Sequence, residues 1–111
     1  HDHRVMRSDR GYICWPEVVL GMSFPIPLQE LNRVRLPAIT LHEAQTTGRR
    51  YGGPDAVESG IVHRTVPEAD VLATATELAR PHESTAGRVL GRIKNELYPD
   101  VVAALRDHPH P

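Results

Sequence analysis

Apolar and polar residues alternate in short runs over the first 26 residues, and this pattern predicts strands rather than helices. Residues 3–6 indicate one short strand, and residues 12–15, rich in aromatic and β-branched side chains, indicate a second. Pro16 should end the second strand, because proline cannot donate to a central ladder. Residues 61–66 alternate weakly and predict a third strand. Since strands this short do not form a stable sheet alone, we expect them to belong to a larger one.

From residue 27 onward the apolar residues recur at helical spacing. Prolines and glycines should mark the helix ends: Pro37 opens a helix that Gly48 closes, and Pro99 opens the last helix. Ser84 or Thr85 should cap the helix before it. Residues 107–111 form a polar tail that we expect to fray. The predicted helices cover residues 28–36, 37–47, 53–59, 67–80, 85–97 and 99–106.

Composition and charge exclude several classes of function. The net charge is −1, so the chain has no electrostatic basis for binding nucleic acid or an acidic membrane surface. No apolar run approaches the ~18 residues that a membrane span needs. Cys14 is the only cysteine, which excludes a disulfide within the chain and fits a reducing, cytoplasmic location. The histidines have no partners at zinc-binding spacing, and we therefore predict no metal site.

The most apolar run of the chain, residues 11–22, contains a single carboxylate, Glu17. It lies between Trp15-Pro16 and the apolar residues 18–20. One interpretation is an ordinary exposed glutamate at a turn between a strand and a helix. The other is a catalytic group that carries protons in dry surroundings. The residues alone leave both interpretations open.

The start of the chain leads to a further expectation. It begins His1-Asp2-His3, without a methionine, directly before the first predicted strand. We expect a fragment: the C-terminal part of something longer, or a truncated gene product.

Three segments in register resemble the crotonase (enoyl-CoA hydratase/isomerase) superfamily. Within residues 47–62 the pattern is Thr47-Gly48, a gap, Ala56, three residues and then Gly60-Ile61-Val62. Residues 15–21 contain the Pro-Glu-Val-x-Leu-Gly form of a second family segment, and residues 1–6 resemble a family strand. Phe24-Pro25 and residues 49–53 are closer to the Δ3-Δ2-enoyl-CoA isomerase branch than to the hydratases.

The resemblance implies an α/β fold. It predicts a partial crotonase-like ββα spiral with two or three short strands over residues 1–66, followed by a C-terminal helical region over residues 67–111. In the family, those helices build trimers, so a homo-oligomer (a trimer or a dimer of trimers) is expected. The chain would supply the second half of the family fold.

The resemblance also implies a chemistry. Glu17 falls on the position of the family's catalytic glutamate and would shuttle a proton between C2 and C4 of a fatty acyl-CoA thioester. The substrate-binding pocket would consist of Trp15, Leu20, Met22 and Phe24. No cofactor is implied, since CoA is part of the substrate. Pro27 replaces a usual glycine and disfavours hydratase activity relative to isomerase activity.

One feature leaves an alternative open. The backbone donors that stabilise the enolate in the family lie upstream of the position of His1. The second hypothesis is therefore a truncated, non-catalytic crotonase remnant that acts only in subunit association. Arg49, Arg50 and Lys94 are candidates to contact CoA phosphates, with solvated surface residues as the simpler interpretation.

Overall fold

A computed structural model describes residues 1–108 of the chain. Short helices dominate it, and the elements follow one another closely along the sequence. In chain order they are β1 (Val5–Arg7), α1 (Glu17–Leu20), α2 (Ile26–Arg35), α3 (Ala38–Thr47), α4 (Gly53–Glu58), β2 (Arg64–Val66), α5 (Val71–Ala79), α6 (Arg88–Leu97) and α7 (Pro99–Asp107), with 3₁₀ turns over Glu68–Asp70 and Arg80–Thr85. The predicted helical region 67–111 and the predicted frayed tail 107–111 extend beyond the described residues.

The two strands pair in parallel, with Val5 opposite Arg64 and Arg7 opposite Val66. Parallel pairing requires a long crossover, and α1 to α4 supply it. The predicted strand 3–6 begins two residues later and ends one residue later, and the predicted strand 61–66 shortens to its last three residues. The α/β class with C-terminal helices is confirmed.

The predicted strand over residues 12–15 is wrong as an element. In the described residues this segment makes one isolated antiparallel bridge, between Ile13 and Tyr51. Its two hydrogen bonds are each 2.9 Å long. Proline at position 16 and the turn into α1 stop the pairing from continuing. The β propensity of these residues therefore yields a single bridge.

Most helix boundaries follow proline and glycine as predicted. Helix α2 begins at Ile26 and not at residue 28, and the predicted helix 67–80 is a 3₁₀ turn over Glu68–Asp70 followed by α5. Gly48 ends α3 with a φ of 69°, in the left-handed region that glycine tolerates. The predicted cap at Ser84 or Thr85 is wrong, because both residues lie in the 3₁₀ turn Arg80–Thr85. The Thr85 hydroxyl donates instead to the carbonyl of His82 at 2.9 Å. Helix α6 starts after Gly87 without a side-chain cap.

The core is small and consists of a few fully buried residues. Its buried members are Ala44, Tyr51, Ala56 and Ile61, against which Met6, Ile13, Trp15, Leu36 and Val62 pack. The radius of gyration is 15.6 Å, whereas a compact domain of this length would have about 13 Å. The chain therefore has an open shape. Within residues 1–108, no helix has both the length and the apolar character that crossing a bilayer requires.

Candidate functional site

Glu17 is the first residue of α1, a helix of a single turn. The carbonyl of Pro16 accepts hydrogen bonds from the amides of Val19 and Leu20, at 2.9 and 3.0 Å. Gly21 ends the turn with a φ of 75°. Because the residues on both sides of Glu17 are hydrogen-bonded into this turn, its Cα position is well defined.

Two contacts fix α1 against the rest of the fold. The Ile13–Tyr51 bridge holds the segment that leads into α1. Helix α3 ends directly beside α1, since a Cβ atom on Gly48 would lie 3.1 Å from Val19 Cγ2 and 3.7 Å from Pro16 Cα. The absence of a side chain at position 48 thus permits the close approach. Gly48, which the sequence places in a family segment, shapes the site without taking part in chemistry.

The carboxylate of Glu17 is unusual in its surroundings. The residue as a whole is half-buried, and its Oε2 atom is buried without a hydrogen-bond partner among the described residues. Leaving a buried polar group unpaired costs roughly 1–3 kcal/mol, and more for a charged group. Such a group calls for a specific explanation, and a functional role is one of the recognised explanations.

The four predicted pocket residues occupy separate surfaces. Trp15 lines a cavity of about 180 Å³, whereas Phe24 lines another of about 640 Å³ between α2 and α7. Leu20 and Met22 are 66% and 58% exposed. The structure does not bring the four side chains together in one cavity. Their shared role in binding substrate therefore stays a prediction.

A hydrogen-bond network of Glu43, Arg49 and Tyr51, which the sequence did not predict, holds the side chain of Tyr51, whose backbone forms the bridge to Ile13. The hydroxyl of the fully buried Tyr51 donates to Glu43 Oε1 at 2.9 Å. Arg49 Nη1 donates to the same oxygen at 2.6 Å, and its guanidinium lies 4.6 Å from the centre of the Tyr51 ring. These bonds, the one from Arg49 first, lower the pKa of Glu43. Burial, followed by the bond to Glu43, raises the pKa of Tyr51.

The network also gives the basic residues a local role. Arg49 forms a second ion pair, at 3.5 Å with Asp55. Arg50 lies over the ring of Tyr12 at 4.7 Å, and Lys94 pairs with Asp2 at 2.8 Å. All three predicted candidates for CoA phosphates therefore have intramolecular partners. No sequence spacing signals this network, because Glu43 and Tyr51 belong to different elements.

Within residues 1–108, no group of three or more His, Cys, Asp or Glu side chains is arranged to hold a metal ion.

Comparison with curated proteins identifies relatives that match most of the chain. It is 28% identical over 110 residues to "Enoyl-CoA delta isomerase 2, peroxisomal" of Arabidopsis thaliana, and the match covers 95% of this chain and 46% of that protein. It is 32% identical over 98 residues to the carnitinyl-CoA dehydratase of Escherichia coli, covering 85% of this chain and 36% of the relative. The chain thus spans less than half the length of these relatives. No protein-family model matches it.

Comparison with solved structures gives the same fold. A probable enoyl-CoA hydratase from Mycobacterium tuberculosis superposes with a TM-score of 0.80 at 24% identity, covering 96% of this chain and 44% of that one. Human mitochondrial delta3-delta2-enoyl-CoA isomerase superposes with a TM-score of 0.77, also at 24% identity, covering 96% and 42%. Sequence and fold point the same way: over most of its own length, the chain is similar to proteins of the enoyl-CoA hydratase/isomerase (crotonase) superfamily.

Proposed function

We propose that the chain carries the proton-transferring carboxylate of an enoyl-CoA isomerase, with enoyl-CoA hydratase as the nearest related activity. The observation that carries the proposal is the buried Oε2 atom of Glu17, which has no hydrogen-bond partner in the part of the chain that the structure describes. A carboxylate without a hydrogen-bond partner is free to accept a proton from a substrate. The relative that matches 95% of the chain is named as an enoyl-CoA isomerase, which supports the same reaction.

The reaction would move one proton and one double bond. Glu17 takes a proton from C2 of a 3-enoyl-CoA, and the electrons of that C–H bond form the C2–C3 double bond. The electrons of the former C3–C4 double bond then form a new C–H bond at C4 with the proton that Glu17 returns. The carboxylate ends unprotonated, as it began, so atoms and charge balance. Only the CoA of the substrate is required, and no separate cofactor.

The apolar surroundings of Glu17 suit this role. Trp15 packs against the core immediately before α1, and Leu20, Met22 and Phe24 follow Glu17 closely in the sequence. We propose that these four side chains contact the acyl chain of the substrate. Leu20 and Met22 are exposed, so an acyl chain bound against them would cover them and keep water from competing for the proton.

We further propose that the chain acts in a homo-oligomer, either a trimer or a dimer of trimers. The described C-terminal helices support this proposal because α6 exposes Val89, Ile93 and Leu97 at 67%, 47% and 60%. These residues recur at spacings of four and share one side of the helix. A cytoplasmic location is part of the proposal and is supported by the single free cysteine, Cys14.

A second candidate function is a non-catalytic remnant that acts only in subunit association. The exposed apolar side chains favour it, among them Ile39 at 85% and Leu72 at 79%. Such residues suit a subunit that associates with itself or with longer relatives. This candidate predicts association without turnover.

The test is the conversion of a 3-enoyl-CoA to the 2-enoyl-CoA by the purified chain. We expect Glu17→Gln to lower kcat about 10²–10⁴-fold, the usual contribution of a general acid–base group. The matched control is Glu77→Gln, because Glu77 is an exposed glutamate on α5. Equal rates for wild type and Glu17→Gln would remove Glu17 from the mechanism. No activity in any of the proteins would favour the association candidate.

A further inference from the structure

A cavity of about 180 Å³ lies under the first residues of the chain and is distinct from the surface of α1 that bears Glu17. The segment before β1, the segment before α1, the second half of α2 and residues 61–62 form its walls. Two arginines, Arg4 and Arg35, line it, and no aspartate or glutamate does. The cavity therefore combines two positive charges with no negative charge.

Both guanidinium groups bond only to neutral oxygens. Arg35 Nη2 and Arg4 Nη1 donate to the same carbonyl, that of His1, at 3.1 and 3.3 Å. Arg4 Nε also donates to the carbonyl of Ile61 at 2.7 Å, and Arg35 Nη1 to the hydroxyl of Tyr98 at 3.1 Å. Among the described residues, neither arginine has an ion-pair partner within the 4 Å range of such contacts.

This arrangement leaves two cations close together, with no carboxylate bonded to either of them among the described residues. Burial, and after it the charge of Arg35, lowers the pKa of Arg4. Other arginines of the chain differ in this respect: Arg33 pairs with Glu30 at 3.0 Å, and Arg49 with Glu43 at 2.6 Å. An anion placed between Arg4 and Arg35 would offset the repulsion, and guanidinium groups match the geometry of a carboxylate.

The remaining walls indicate what else the anion should carry. They include the side chains of Trp15, Ile13, Leu36 and Val62, which are apolar. Asn32, a buried residue with an unpaired amide nitrogen, lies at the same wall. A ligand with a carboxylate at one end and a few methylene groups at the other matches both parts of this lining.

We propose that this cavity binds a small aliphatic carboxylate, with its anionic end between Arg4 and Arg35 and its apolar end against Trp15. Glu17 does not line this cavity, which shares only Trp15 with the side chains proposed to contact the acyl chain. Its volume of about 180 Å³ suits a short acid.

The chain contains a built-in probe for occupancy, because Trp15 is its only tryptophan. We would titrate the 111-residue chain with sodium butyrate at constant ionic strength and follow Trp15 fluorescence. We expect a saturable change with butyrate and none with butyramide, which has the same shape but no charge. Inorganic phosphate should compete weakly, because it has no apolar end. No saturable change with butyrate, an equal response to butyramide, or equal binding of phosphate would each overturn the proposal.

Variants locate the site. Arg35→Gln and Arg4→Gln should each weaken butyrate binding at least about tenfold, since either change removes one of two charge-assisted contacts. Arg33→Gln is the matched control, because Arg33 lies on the same helix and pairs with Glu30; its affinity should equal that of wild type. Circular dichroism verifies folding. If a glutamine variant does not fold, Arg35→Lys keeps the charge but loses the forked geometry, and should still weaken binding. Wild-type affinity in folded Arg35 and Arg4 variants would refute the assignment.

Discussion

Replacing Gly53 by alanine tests the packing that links α4 to both strands. Gly53 is the first residue of α4 and is buried. A Cβ atom there would lie 2.1 Å from the Thr65 hydroxyl oxygen on β2 and 2.7 Å from the Arg7 carbonyl on β1. Both distances are far inside van der Waals contact, so one of the strands must move to admit a methyl group.

The expected loss in the free energy of unfolding depends on which of the contacting atoms can move. Thr65 Oγ1 is a buried hydroxyl without a hydrogen-bond partner, and a rotation of its side chain relieves the first contact. The Arg7 carbonyl belongs to the backbone of β1, where Ser8 donates to Val66 at 2.8 Å, and it cannot move alone. Overpacking of this kind costs about 1–3 kcal/mol. For a domain of about 100 residues, each kcal/mol lowers Tm by roughly 4–8 °C.

Thermal and urea unfolding, followed by circular dichroism, measure the effect. Gly91→Ala is the matched control, because Gly91 lies within α6 and a Cβ atom there would meet nothing within 4 Å. It should stabilise by about 0.5–1 kcal/mol, the usual gain for glycine to alanine within a helix. Adding Thr65→Ala to Gly53→Ala should recover part of the loss, since only the first contact is removed. A Gly53→Ala chain as stable as Gly91→Ala would refute the reasoning.

Of three further predictions, two concern the elements that hold α1 and the third concerns the contact between Arg4 and His63. Tyr51→Phe removes a buried hydroxyl that donates to Glu43 and should lower the free energy of unfolding by about 1.5–3 kcal/mol in urea denaturation; an unchanged midpoint would contradict this. Gly48→Ala forces alanine to a φ of 69° and should cost at least about 1 kcal/mol, with NMR shift changes concentrated at the amides of α1. The amide of Arg4 donates to Nδ1 of His63 at 3.0 Å, and burial followed by nearby positive charges lowers the pKa of His63 below its ordinary 6.5. The unfolded chain then binds the proton more tightly, so stability should fall as pH drops through about 6.5; His63→Gln should show a flatter dependence of Tm on pH, and an identical slope would refute this assignment.

The sequence predicted the helices well because the residues at each helix end determine where the helix begins or ends. Pro37, Gly48 and Pro99 act through their own backbone restrictions, and α3 and α7 begin and end beside them. The strands were harder to predict. Residues 12–15 have the composition of a strand, but a strand also needs a pairing partner, and that partner is distant in the sequence. Among the described residues, Tyr51 alone pairs with this segment, through Ile13.

The candidate site was predictable only in part, for a similar reason. Glu17 stands out in the sequence because a carboxylate interrupts an apolar run. Its unpartnered oxygen depends on what packs around α1, which no local pattern specifies. Likewise, the pairing of Arg49 with Glu43 joins a loop to the helix before it. The shared cavity of Arg4, Trp15 and Arg35 depends on contacts that are distant in the sequence, and composition alone does not predict it.

The most direct test of the central claim is to follow the proton itself. A 3-enoyl-CoA labelled with deuterium at C2 is converted by the chain, and mass spectrometry measures the label at C2 and C4 of the product. If Glu17 carries the proton, wild type and Glu77→Gln should release C2 deuterium at equal rates and deliver part of it to C4. Glu17→Gln should slow the release about 10²–10⁴-fold. Release of C2 deuterium by Glu17→Gln at the wild-type rate would contradict the assignment of Glu17 as the proton carrier.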